Sequence, residues 1–355
     1  MKKNILFLLP SLRAGGAEKV MSFLAQSINK EEFNASLLII ENEKETMYKI
    51  EGIPVHYLNK KRTLNAFFDI FKFLNKNKPD VVMSTLSHLN TMMAIQSIYF
   101  KSIKFIGREA NVLSVFGEIQ KNGGVLHKIF SPKHFYNYLD AIVCQSQDMK
   151  KDMIKHFNLN PDKLITINNP ISDSFKIKSN TPKNKVPIFI TVGSLEKRKG
   201  HYRILEALSK LQFPFVYQIV GNGSLKDDIQ NEINKLGLSK KVVHIPFTND
   251  INSLLQQSDL FLLGSFVEGF PNALLEAVST GTPAIVYNCP GGINEIIEPG
   301  SNGFICETVE EYSQKITDAV EKIWIPEKVS KGVWERYNKQ KIVSEYESLF
   351  KTLVK

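Results

Sequence analysis

Short β-type apolar runs alternate along the whole chain with segments in which apolar positions return every three or four residues. In the first half the runs cover residues 5–9, 35–40, 81–83, 104–106 and 141–144. In the second they cover 188–192, 216–220, 242–245, 260–263 and 284–287. Each reads as a buried strand. Segments 17–29, 202–211, 225–236 and 272–280 carry the helical spacing. Regular strand–helix alternation predicts parallel sheets with helices on both faces.

The chain has 355 residues, a length for about two domains. Between the two sets of strands lies SFKIKSNTPKNKVP, residues 174–187, rich in Lys, Asn, Ser and Pro. It reads as an exposed linker. The expected organisation is therefore α/β, two doubly wound Rossmann-like domains at 1–173 and 188–337, facing each other across a cleft. The tail, about 338–355, has an amphipathic helical pattern and is expected to pack back onto the first domain. Neither an internal repeat nor a low-complexity tract interrupts this order. In doubly wound sheets ligands bind beyond the carboxyl ends of the strands, so the loops that follow strands are where chemistry is expected.

Composition narrows the class. Hydrophobic residues make up 43% and charged residues 23%, the balance of a folded globular protein. The three cysteines, Cys144, Cys289 and Cys306, are widely spaced, and no C-x-x-C pair occurs. That spacing argues against a disulfide framework or a zinc site and for a reducing, cytosolic setting. The start, MKKNILFLLPSLRAGG, resembles a signal peptide only superficially, because its apolar core ends at Pro10 and Arg13 follows. No apolar run approaches the roughly 18 residues of a membrane span. Net charge is +9, and all of it falls in residues 1–180, with 25 Lys and Arg against 16 Asp and Glu; the remainder has 20 of each. A basic half beside a neutral one suggests an anionic partner, nucleic acid or membrane surface, although a lysine-rich surface explains the count equally well.

The loops after strands carry the candidate residues. After the first strand, Gly15 and Gly16 open a helix, where backbone amides can face an anion. The spacing is not G-x-G-x-x-G, which counts against NAD as the ligand. GSLEKRKG, residues 193–200, holds Ser194, Lys197, Arg198 and Lys199 in a glycine-flanked loop suited to a diphosphate, or simply to solvent. VGNGSL supplies Asn222 and Gly223, and Phe247 follows a further strand. SFVEGFPNALLEA, residues 265–277, sets Glu268 and Glu276 on either side of a Gly269-Phe270-Pro271-Asn272 turn. Pro271 and Asn272 suit a helix start. Glu276 then lies about one turn inside, its side chain tilted back towards the helix start. Both carboxylates are expected to converge on one pocket. Gly291 and Gly292 mark a last loop.

GSLEKRKG, VGNGSL, EGFPNALLEAVSTGTPAIV and GGINEII together resemble the retaining nucleotide-sugar glycosyltransferases of family 4, glycosyl transferases group 1, in order and in approximate spacing. The resemblance spans essentially the whole chain. It implies the two-Rossmann GT-B architecture and a hexosyltransferase acting on a nucleoside diphosphate sugar, UDP by family frequency, without metal or other cofactor. It further implies that Glu276 binds the ribose hydroxyls and Glu268 the sugar hydroxyls, with the Gly269–Asn272 backbone assisting. Lys199 would bind the diphosphate, Gly16 would lie near it, and Gly223 and Phe247 would frame the nucleotide. The chain departs from the family where Ser194 replaces a common Arg, which leaves either Arg198 as a partial substitute or Lys199 acting alone. It departs again where FIGREANV offers Glu109, flanked by Arg108 and Asn111, in place of an N-domain catalytic histidine. Glu109 is expected near the acceptor hydroxyl, with Gly15 and His88 as further acceptor-side candidates.

The implied reaction moves a hexose or N-acetylhexosamine, with retention, to a polyprenyl-diphosphate-linked or surface-glycan acceptor, in bacterial polysaccharide, lipopolysaccharide or capsule synthesis. The protein is expected in the cytoplasm, peripheral to the inner face of the membrane and not on nucleic acid. The basic half offers two membrane-facing candidates: residues 60–78, with Phe67, Phe68, Phe71 and Phe73 among lysines, and residues 128–139. Packing of those rings on their own sheet is the plainer alternative. Rivals are a nucleotide-sugar epimerase on the same scaffold, a catalytically idle sugar-binding subunit, and a nucleic-acid-binding protein that would leave the glycine loops unexplained.

Overall fold

Strand β1, Lys3–Leu9, is buried along its last five residues. Successive side chains of a strand point to opposite faces, so a continuous apolar run needs cover on both sides. In the computed structural model, which describes residues 1–13, 15–46, 49–120, 131–179 and 184–354, that cover comes from helices around a parallel sheet. β2 (Phe33–Ile39), β3 (Val55–Tyr57), β4 (Val81–Thr85), β5 (Lys104–Arg108), β6 (Ala141–Cys144) and β7 (Leu164–Thr166) join β1 in the order β3-β2-β1-β4-β5-β6-β7. Every pairing is parallel. The second sheet is built from β8 (Ile188–Val192), β9 (Val216–Val220), β10 (Val242–Ile245), β11 (Leu260–Leu263), β12 (Ala284–Tyr287) and β13 (Gly303–Cys306). Its order is β10-β9-β8-β11-β12-β13, again parallel throughout.

The sheets belong to two units, Met1–Pro170 with Gln340–Lys355, and Ile171–Lys339. In each, the strand order reverses beside the first strand: β1 lies between β2 and β4, and β8 between β9 and β11. Loops leaving the strands at such a reversal diverge to opposite faces and open a crevice. The GSLEKRKG loop leaves β8 and the loop bearing Glu268 leaves β11, which places both at the reversal of the second sheet.

The helix Lys339–Leu353 buries Ile342, Val343, Tyr346, Leu349 and Phe350, one stripe at helical spacing. Phe350 meets the rings of Phe7 at 6.2 Å and Phe33 at 5.9 Å between centroids, so the last element completes the core of the first unit. The segment 174–187 is less exposed than its composition suggests. Phe175 is buried, and Lys178 donates to the Ser258 carbonyl at 2.8 Å and bonds Thr280 through its backbone. Residues 180–183 lie outside the described residues. β3, β7 and β13 had no counterpart among the expected strands: three or four residues long and only partly buried, they carry too little periodicity to stand out.

Candidate active site

The turn after β8 folds Lys197–Lys199 into a single 3-10 turn, closed by Gly200 in the left-handed conformation. A Cβ on Gly200 would stand 1.8 Å from the Gly264 carbonyl oxygen, so only glycine lets this turn press against the chain leaving β11. That approach brings the Lys199 Nζ within 2.6 Å of Glu268 Oε1. The Ser265 hydroxyl donates to the same oxygen at 2.5 Å. Glu268 is 5% exposed. Burial would raise its carboxyl, but Lys199 and Arg198 beside it, with the hydrogen bonds from Lys199 and Ser265, outweigh burial and hold it below the ordinary carboxylate value. The result is a fixed, ionised carboxylate paired with a lysine whose ammonium carries three donors. Arg198 also bonds Glu196, 2.9 Å away.

Neighbouring loops are tied to this turn by backbone. Gly193 N donates to the Val220 carbonyl, Leu195 N to Asn222 and Leu225 N to Leu195. Asn222 and Gly223 are exposed, and the Asn222 amide oxygen accepts from Gly223 N. Ser194 uses its carbonyl on His201 Nε2 at 3.0 Å. Its buried hydroxyl has no hydrogen-bond partner among the described residues. Phe247 is exposed beyond β10. Gly291, at φ +111°, sits so close to Glu268 that a Cβ would be 1.9 Å from the Glu268 carbonyl oxygen, while Glu268 N donates to the Pro290 carbonyl.

One expectation changes at this turn, and two side chains there take the places expected of them. The helix begins at Asn272, but its cap position is Pro271 and no side chain caps it. Phe270 is a core residue: buried, with its ring edge-on to Tyr337 at 5.2 Å, so it offers only backbone to a ligand. Glu276 stands half-buried in the second turn of the helix Asn272–Ser279. Lys199 and Ser265 meet on the Glu268 carboxylate, and of these Ser265 was not anticipated. Its signal was available, since it opens the same acidic stretch three residues before Glu268.

In the first unit, Gly15 precedes and Gly16 opens the helix Gly16–Ser27 after β1. His88 is exposed near the start of the helix Ser87–Gln96 after β4, and Asn111 is half-buried after β5. Arg108 and Glu109, expected to face an acceptor, are enclosed instead. Arg108 donates to the Tyr346 hydroxyl at 3.2 Å and to Asn169 Oδ1 at 2.5 Å. Glu109 is 1% exposed, and its Oε1 accepts from the Tyr136 hydroxyl and, at 2.8 Å, from Asn90 Nδ2. Burial pushes its carboxyl up to about 7 despite those donors and the nearby Arg108. Arginine and glutamate are neighbours at a strand end, and partners from distant elements hold both inside.

Two family models together cover most of the chain. A family model described as Glycosyl transferases group 1 matches residues 172–332, and one described as Glycosyltransferase Family 4 matches residues 14–175. The chain is 26% identical over 315 residues to an uncharacterized glycosyltransferase of Haemophilus influenzae, covering 86% of each chain. It is 25% identical to a Campylobacter jejuni N-acetylgalactosamine-N,N'-diacetylbacillosaminyl-diphospho-undecaprenol 4-alpha-N-acetylgalactosaminyltransferase, covering 85% of this chain and 86% of that one. It is 26% identical to an Escherichia coli UDP-Gal:alpha-D-GlcNAc-diphosphoundecaprenol alpha-1,3-galactosyltransferase, covering 84% and 82%. Among solved structures, Anabaena HepE in complex with UDP superposes with a TM-score of 0.81 over 99% of this chain and 100% of that one, at 19% identity. The lipopolysaccharide outer core galactosyltransferase WaaB gives 0.77 over 97% and 98%, also at 19%.

Proposed function

Starting from a chain that belongs to the family 4, group 1 glycosyltransferases of GT-B fold, we propose that it moves a hexose or N-acetylhexosamine from UDP to a hydroxyl of a lipid-linked or surface glycan, with retention and without a metal ion. The observation that carries this reading is the Lys199–Glu268 pair with Ser265 on the same carboxylate oxygen. Glu268, kept ionised, accepts from the sugar hydroxyls. Lys199 spends one donor on Glu268 and has two for the diphosphate, where Arg198 adds positive charge. Charge on a departing phosphate is stabilised most by donors fixed in advance in a partly dry site, and a lysine already held by a buried carboxylate is such a donor. Glu276 takes the ribose hydroxyls, and the exposed Asn222, Gly223 and Phe247 frame the base.

In the step itself the bond from the anomeric carbon to the phosphate oxygen breaks, and the bond to the acceptor oxygen forms on the same face. The acceptor proton passes to the leaving diphosphate. Buried Glu109 is then a positioning group for the acceptor side, holding Asn90 and Tyr136, while His88, Asn111 and the Gly15–Gly16 loop are the first unit's exposed or half-buried contacts. The names of the Campylobacter jejuni and Escherichia coli relatives, both on diphospho-undecaprenol acceptors, support a lipid-linked acceptor, and HepE with UDP supports the nucleotide. A lipid-linked acceptor brings the enzyme to the inner face of the membrane. Among the described residues no helix is long and apolar enough to cross it.

The test is a nucleotide-sugar panel with the chelator EDTA present, read first as thermal stabilisation, because a ligand that binds only the folded state raises apparent stability, and then as transfer to a polyprenyl-diphosphate acceptor. Lys199→Ala and Glu268→Gln are each expected to lower turnover at least about a hundredfold while leaving far-UV circular dichroism unchanged. Near-normal turnover in either variant refutes the assignment.

A further inference from the structure

Arg203 was not singled out by any motif, yet it meets the stretch leading to Glu268 through both hydrogen bonds and a ring contact. It sits in the first turn of the helix His201–Ser209 that follows Lys199 and Gly200. Its Nε donates to the Gly264 carbonyl at 2.6 Å and its Nη2 to the Ser265 carbonyl. The guanidinium carbon lies 4.1 Å from the ring centroid of Phe266 and 4.1 Å from that of Tyr287, so the planar cation is sandwiched between two aromatic faces. Tyr287 is itself stacked on Tyr312 at 4.2 Å, and the Tyr312 hydroxyl donates to the Ile285 carbonyl at 2.8 Å. One side of the sandwich is therefore anchored in the core. The other side, Phe266, is 44% exposed. Among the described residues no carboxylate pairs with Arg203; its charge is met by two carbonyls and two π faces.

A trans peptide is planar, with its carbonyl and amide pointing in opposite directions. Turning the Ser265 carbonyl onto Arg203 therefore turns the Phe266 amide the other way, where it donates to the Arg198 carbonyl at 2.8 Å. One guanidinium thus fixes two consecutive peptide planes, and through them both partners of the reacting pair: the turn of Arg198–Lys199 and the stretch Ser265–Glu268. We propose that Arg203, with Phe266 as its outer clamp, is a positioning residue that sets the separation of Lys199 from Glu268. The inference rests on the reading of that pair as the sugar- and diphosphate-binding centre. A lysine at this position keeps the charge but loses the flat two-donor fork and the stack.

The full-length wild type, Arg203→Lys, Phe266→Ala and Phe266→Tyr are compared for kcat, for donor KM, for UDP affinity by calorimetry and for Tm. Small displacements of aligned groups cost rate more than binding, so Arg203→Lys and Phe266→Ala are expected to lose at least about tenfold in kcat, with UDP affinity held within about twofold and kcat restored in Phe266→Tyr, which keeps an aromatic face. Unchanged kcat in Arg203→Lys and Phe266→Ala overturns the proposal. So does a loss of kcat matched by loss of UDP affinity and not rescued by Phe266→Tyr, the signature of a merely structural role. If Arg203→Lys does not fold, the two Phe266 variants decide alone. If the wild type neither binds nor turns over any nucleotide sugar, the glycosyl-transfer reading has failed, and crystal structures of the Phe266 variants then judge the clamp. A Lys199–Glu268 distance kept at 2.6 Å in Phe266→Ala overturns it; a longer one sustains it.

Discussion

Glu109 and Glu268 are both nearly sealed from water, and their partners send them in opposite directions. Glu268 has a lysine and a second cation beside it and stays below the usual carboxylate range. Glu109 has neutral donors, and burial carries it to about 7. Its folded value exceeds the ordinary 4.5, so between the two the folded chain binds more protons than the unfolded one. The contribution to stability is then fully present below the unfolded value and is lost as pH rises through about 7. For a shift of this size the loss is about 3 kcal/mol. In urea denaturation across that window, wild type is expected to fall relative to Glu109→Gln, which cannot ionise. A pH-independent difference between them would show that Glu109 does not titrate there. The expectation that Glu109 faces an acceptor came from its place after a strand. Which way the side chain turned depended on Asn90 and Tyr136, distant in sequence.

At the scale of elements, the loops after β8, β11 and β12 are held by backbone against backbone. Gly291 gives the cleanest test, because its positive φ and the 1.9 Å approach of a Cβ to the Glu268 carbonyl disfavour any side chain. Gly291→Ala is expected to destabilise the fold by at least about 1–3 kcal/mol and to lower turnover along with it, as the Glu268 backbone is pushed away. Gly300 shares a positive φ of +78° but has nothing within 4 Å of its Cβ. Gly300→Ala is therefore expected to show only the backbone cost and to keep turnover. Denaturation midpoints and turnover for the two variants check this; equal effects on turnover would mean that the contact with Glu268 does not matter. The long strands were legible from their apolar runs, and so were the loops that follow them. β3, β7 and β13 were not, because short edge strands bury too little surface to impose a pattern.

For the molecule as a whole, the uneven charge is the feature with the widest consequence. Residues 60–78 carry six Lys and Arg against Asp69 alone, and Asp69 is paired with Lys60 at 3.0 Å. The four phenylalanines there do not behave alike. Phe71 packs on Tyr99 and Phe100, and Phe73 on His56. Leu64 and Phe68 are each 75% exposed. In the second candidate, 128–139, residues 128–130 lie outside the described residues, Tyr136 is buried and Tyr138 is exposed. Exposed apolar side chains among lysines suit an anionic bilayer surface. In vesicle sedimentation the protein is expected to bind phosphatidylglycerol vesicles, to bind neutral ones far less, and to lose at least about threefold in partitioning in Leu64→Ser with Phe68→Ser. Equal binding to both vesicle types, or an unaffected double variant, would count against that surface.

Periodicity and loop chemistry determined from sequence alone that two parallel α/β sheets would form, and that Lys199, Glu268 and Glu276 would stand on loops or helix starts after strands. Those are local properties: a buried strand needs its apolar run, and a turn needs its glycine wherever the chain goes next. The Lys199–Glu268 contact joins residues 69 positions apart, and the Arg203 clamp reaches across 61 and 62. Such meetings depend on which strand lies beside which and on how helices pack above them. Tertiary structure alone decided that Phe270 is core, that Glu109 is enclosed, and that an unremarked arginine lies beneath the loop that carries Glu268.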